Sequence, residues 1–178
     1  MVTTMPKSDK ANDVLARWIA IPGQLRRVVR DLPSARLDVR GAPDRMSIRK
    51  TAHHLVEPNL VASNIITAAL ANSGSAYDWT WLNPGGSWMS RLGYRKAPIG
   101  PALSTLQSLT RHFAALFSVV DDGLQRTVEL YDSPGAPHYT KTVGQLLLDE
   151  VNHAREHLDA LPHRRVRRRV RRGGRTRG

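Results

Sequence analysis

The sequence predicts an all-α protein, a four-helix bundle. Three observations carry that expectation: four stretches set apolar residues at helical spacing, two of them open on recognisable caps, and a long connection rich in Gly, Ser and Trp separates the second from the third. The first helix runs from about Lys10 to Asp31. Ile21, Leu25, Val28, Val29 and Leu32 form its stripe, and Pro22 either kinks it or opens a new helix. The second opens at Ser47, a good N-cap, and continues to about Asn72, with His54, Val61, Ile65 and Ala68 on one face. Pro58 stands four residues after His54 and deprives the His54 carbonyl of its helical hydrogen bond, so the helix bends there.

The third helix spans roughly Pro101 to Asp121, with a broad face of Leu103, Leu106, Leu109, Phe113, Leu116, Phe117 and Val120. The fourth opens in T-V-G-Q, where Thr142 and Gln145 make a capping box, carries Val143, Leu147, Val151, Ala154, Leu158 and Leu161, and ends at Pro162. Residues 73–98 form the long connection. Its Trp79, Trp81 and Trp88 line a pocket mouth or cover the bundle. Residues 122–141 read as a second connection, with turn chemistry in S-P-G-A-P.

Composition sets the limits. A chain of 178 residues is one domain by length. The absence of cysteine excludes disulfides, thiolate zinc sites and a cysteine nucleophile, and fits a reducing compartment. No apolar run reaches the roughly 18–20 residues of a membrane helix, and M-V-T-T-M-P-K-S-D-K lacks the apolar stretch of a signal peptide, so the expectation is a cytoplasmic protein without membrane partners. The net charge of +12 is unevenly placed. Nine of the 27 basic residues and none of the 15 acidic ones lie in residues 163–178, which leaves the body at +3. The chain therefore divides into a bundle over residues 1–162 and a disordered Arg-rich tail over 163–178. That tail is either a tether for nucleic acid or an acidic surface, or a solvated extension with incidental polyanion affinity.

The chemistry concentrates in histidine. His153 and His157 stand one helical turn apart in D-E-V-N-H-A-R-E-H-L, so both imidazoles occupy one face. They flank the apolar stripe together with Leu146 and Glu150. His54 lies roughly 10 Å from the start of the second helix, and the pair roughly 20 Å from the start of the fourth. Only antiparallel second and fourth helices bring the three level. That requires an up-down-down-up path with a long crossover between helices 2 and 3, which the connection over residues 73–98 is long enough to supply.

Three neutral imidazoles leave coordination positions for water or substrate, and suit Zn²⁺, Ni²⁺, Fe²⁺ or Co²⁺. Glu150 and Glu57 are the candidate catalytic carboxylates, as proton acceptors, unless they are surface groups or hold an imidazole in orientation. His53, about 100° round the helix from His54, is exposed or orients a neighbour. His112 reads as a plain bundle histidine, and His138 and His163 carry no role.

The stretches P-G-Q-L-R-R-V-V-R-D-L-P-S-A-R-L, M-S-I-R-K-T-A-H-H-L-V-E and T-V-G-Q-L-L-L-D-E-V-N-H-A-R-E-H-L-D-A-L together resemble the DinB/YfiT-like superfamily of metal-binding four-helix proteins. The resemblance covers most of residues 20–161. The family pattern W-S followed by H-L puts its first ligand on His54, and H-x-x-x-H-L falls on His153 and His157; the H-H doublet looks like the YfiT branch. Met46 stands where the family often has tryptophan, and Pro58 and Asn59 depart from its more usual residues. The resemblance implies a divalent transition metal, Zn or Ni foremost, on His54, His153 and His157. It implies a hydrolase, or an S-transferase with bacillithiol or mycothiol as co-substrate, acting on a small-molecule substrate; a homodimer is the expected assembly. Two rivals stand beside it: a non-catalytic metal-binding bundle, and a nucleic-acid-associated protein working through its tail.

Overall fold

In the computed structural model, which describes residues 7–80 and 92–162, the four stripes become helices. α1 (Lys7–Val29) runs through Pro22 without ending or restarting. Trp18, three residues before the expected stripe, is its largest fully buried side chain and lies edge-on to Phe113 at 6.2 Å between centroids. Burying a large side chain of this kind contributes about 2–3 kcal/mol.

The second helical segment is two helices, α2 (Ile48–His54) and α3 (Val56–Ala71), joined at Leu55. Ser47 caps α2 by accepting the Lys50 N–H at 3.3 Å. The break falls where the Pro58 nitrogen can donate nothing to the His54 carbonyl. Asn59 secures the junction: its Nδ2 donates to the Leu55 carbonyl at 2.7 Å, while its Oδ1 accepts from Trp18 Nε1 at 2.9 Å. A short 3-10 turn (Ser34–Asp38) leads into α2, and Arg49 binds it by donating to both Asp38 oxygens at 2.8 and 3.2 Å.

α4 (Ile99–Phe117) buries Leu103, Leu106 and Phe113, and ends four residues before the expected Asp121. α5 (Val143–Asp159) opens on the Thr142–Gln145 capping box and buries Val143, Leu147, Val151 and Ala154. α1 packs against α4 and α5, and α3 packs against the same two, so α4 and α5 stand between α1 and α3.

The all-α expectation needs one correction. A three-stranded sheet, in order β1-β2-β3, joins the two long connections: β1 (Ser75–Asp78), β2 (Thr127–Tyr131) and β3 (Tyr139–Thr142). β1 runs parallel to β2, and β2 antiparallel to β3. The sheet forms because T-V-E-L-Y alternates, burying Val128 and Leu130 against the bundle core. It ties the end of α3 to the start of α5. Among the described residues no helix is long and apolar enough to cross a membrane. Trp81, Trp88, His163 and the Arg-rich tail over 163–178 lie outside the described residues.

Candidate metal centre and adjoining cleft

His54 closes α2, one residue before the break, and His153 and His157 lie on successive turns of α5. The structure brings the three imidazoles to one point. Nε2 of His54 stands 3.1 Å from that of His153 and 3.2 Å from that of His157, and the last two are 2.9 Å apart. Each ring is nearly perpendicular to the other two, with interplanar angles of 80–87°. Gly41 permits this approach. A Cβ there would sit 2.6 Å from the Ala160 carbonyl oxygen, so only glycine lets the segment before α2 lie directly on the end of α5.

The triangle has the dimensions of a metal site. Two nitrogens bound at about 2.0–2.1 Å to one ion, at angles of about 90–110°, stand about 2.9–3.4 Å apart. The electrostatics agree. Burial, the charge of the neighbouring His157 and that of His54 push His153 down to about 4; burial, His54 and Arg45 push His157 down to about 4. At neutral pH both rings are therefore uncharged. Their Nε2 atoms converge with that of His54, an arrangement that a cation, rather than a proton, satisfies.

The carboxylates add to this. Glu57 Oε2 faces His54 Nδ1 at 3.7 Å, longer than a hydrogen bond, on side chains that are each about 15% exposed. His54 Nδ1, both Glu57 oxygens and Glu150 Oε2 are buried without hydrogen-bond partners among the described residues. Buried acceptors of this kind are costly unless a cation or a ligand donor compensates them. Burial, with Asp149 adding, pushes Glu150 up to about 7. The donor set and its surroundings thus fit a divalent ion held by His54, His153 and His157.

Beside the histidines a cleft of about 240 Å³ opens between α3 and α5, floored by the sheet. His54, Glu57 and Glu150 line it together with Val61, Ile65, Leu130, Leu146 and Trp79. Of the two readings for the connection's tryptophans, Trp79 therefore lines a pocket. His53 stands on the other side of α2, where it stacks on Tyr94 at 5.0 Å and its Nε2 donates to the Ala97 carbonyl at 3.3 Å. It is half-buried and fastens the loop before α4, so the expectation of an exposed ring or a neighbour to the site is corrected. His112 is a surface residue of α4, edge-on to Phe113 at 5.2 Å. Sequence reasoning missed Lys141, Asp149 and Tyr139 at the cleft; the unread β3 strand concealed two of them.

No family model matches the chain, and no curated protein matches it in sequence. Among solved structures it resembles YfiT from Bacillus subtilis, described as a probable metal-dependent hydrolase with an unusual four-helix bundle topology. The two align over 90% of this chain and 87% of that one with a TM-score of 0.69, at 18% identity. This chain has the YfiT fold. The resemblance stated from the motifs thus holds at the level of fold. The three histidines come from the two helical segments that flank the cleft among the described residues, α2–α3 and α5.

Proposed function

We propose that the chain is a divalent-metal-dependent enzyme whose three-histidine site activates water, as a hydrolase, or a low-molecular-weight thiol such as bacillithiol or mycothiol, as an S-transferase. One observation carries the reading: three imidazole nitrogens within 3.2 Å of one another, two of them held uncharged, beside a cleft. His54, His153 and His157 would hold the ion, Zn or Ni. When bound, such an ion is a Lewis acid that lowers the pKa of water or of a thiol. Glu57 faces the far nitrogen of His54 at 3.7 Å, and its charge favours a proton on that nitrogen, which leaves Nε2 free to ligate. Glu150, poised near neutrality in the cleft wall, accepts the proton of the entering nucleophile and can return it to the leaving group. The apolar walls keep bulk water from the reacting groups.

The reading includes an up-down-down-up path, with the 73–98 connection as crossover. Two facts support it: the end of α2 meets the last turns of α5, and the sheet joins the end of α3 to the start of α5. A cytoplasmic setting, a small-molecule substrate and a homodimeric assembly belong to the same proposal. So does weak polyanion binding by the tail.

Elemental analysis of the purified chain tests the core of the reading. It should find about one transition metal per chain, lost in His153→Ala. Metal retained by that variant would refute the ligand set. A panel of esters and amides, run beside electrophiles offered with bacillithiol or mycothiol, then separates hydrolysis from thiol transfer.

A further inference from the structure

The cleft beside the histidines carries a set of unmet hydrogen-bonding groups that selects among small molecules. Its walls are Pro58, Val61, Ala62, Ile65, Leu130 and Leu146, and its volume is about 240 Å³. An apolar cavity of about 150 Å³ holds benzene, so there is room for one ring and a polar group. Two kinds of unpaired, nearly enclosed atom belong to residues of the lining. Trp79 Nε1 is a donor with no partner among the described residues, and Glu57 Oε1, Glu57 Oε2 and Glu150 Oε2 are acceptors with none. The one lysine of the lining, Lys141, is bound to Asp149 beside it, so the pair offers little free charge to a ligand.

We infer that this cleft binds small, uncharged, largely apolar molecules that carry both a hydrogen-bond acceptor and a donor, as a primary amide does. The acceptor takes the Trp79 N–H; the donor reaches the carboxyl oxygens of Glu57 or Glu150. With no ion on the histidines, an anion of the same shape supplies acceptors only and confronts two carboxyl groups. A cation supplies donors only, leaves the indole N–H buried and unpaired, and must be stripped of water against apolar walls. The inference rests on the functional reading in one respect, that substrate lies in this cleft.

Three planar molecules of nearly one shape test it: benzamide, benzamidinium and benzoate. They are titrated into the full-length, ¹⁵N-labelled chain in the presence of chelator, so that no ion on the histidines draws benzoate in, and the indole N–H signal of Trp79 is followed. Trp79→Phe assigns that signal, and its remaining indole signals report that the variant is folded. Benzamide should shift the Trp79 signal saturably and bind roughly tenfold more tightly than either charged molecule. Glu57→Gln should narrow the deficit of benzoate. Equal binding of all three, preference for a charged one, or no response at Trp79 would overturn the inference. The comparison of the three molecules needs no variant. Because the readout is an indole proton and not metal content or turnover, a chain that binds no metal still leaves this selectivity measurable. Loss of the selectivity leaves the metal site standing.

Discussion

Glu150 is a carboxyl group three residues before a histidine of the cluster, and its buried Oε2 has no hydrogen-bond partner among the described residues. Burial first, then Asp149, raises its pKa from 4.5 to about 7. Below the ordinary glutamate range both folded and unfolded chains carry the proton, and burial costs nothing extra. As pH rises from about 4.5 to 7 the unfolded chain releases the proton while the folded one keeps it, so the contribution of Glu150 to stability falls. The loss approaches about 3 kcal/mol above pH 7. His153 and His157 act oppositely: their pKa values are lowered, so their contribution is present above about 6.5 and is lost as pH falls toward 4. Glu150→Gln separates the two, because the histidine contribution is common to both proteins. In urea unfolding with chelator present, the variant should match the native chain near pH 5 and exceed it by about 2–3 kcal/mol at pH 8. A difference that does not change with pH would mean that Glu150 is an ordinary surface acid.

At the scale of elements, the site depends on a broken helix held in one pose. Pro58 opens the break between α2 and α3, and Asn59 closes it again by binding the Leu55 carbonyl and Trp18 Nε1. Asn59→Ala leaves the Trp18 indole N–H buried and unpaired and removes the side-chain bond to the Leu55 carbonyl, which costs roughly 1–3 kcal/mol and lowers the melting temperature by about 3–9 °C in a chain of this size. If the junction positions His54, zinc affinity measured by chelator competition should fall roughly tenfold as well. A stability loss with unchanged zinc affinity would reduce Asn59 to core packing.

This junction was half legible. The Ser47 cap, the break after His54 and the Thr142 capping box all follow from rules local to a few residues. The partner of Asn59 did not, because Trp18 is 41 residues away. The sheet was missed for the same reason: β1 has only four residues, and its parallel partner begins more than fifty positions later. The five-residue alternation of β2 is too short to outweigh the turn residues that follow it.

For the whole molecule, the histidine cluster joins positions 99 and 103 residues apart. Its location was readable because the i, i+4 pair marks one face of a helix and the family pattern puts the third ligand on His54. The burial of Glu57 and the cleft were not, since they arise only where α3, α5 and the sheet meet. That long-range closure makes a last prediction. An ion held only by the folded chain stabilises it by mass action, by about 2.7 kcal/mol at a hundredfold excess over Kd. The melting temperature should therefore rise by about 5–10 °C when zinc is added to chelator-treated protein. His54→Ala should abolish the rise, because it removes the ligand that α2 brings to α5. Truncation after Pro162 should leave the rise intact while weakening salt-sensitive polyanion binding, since the nine arginines of the tail lie outside the bundle sequence. A zinc-dependent rise of the same size in His54→Ala would show that zinc stabilises the chain elsewhere, and the convergence of the three imidazoles would lose its functional meaning.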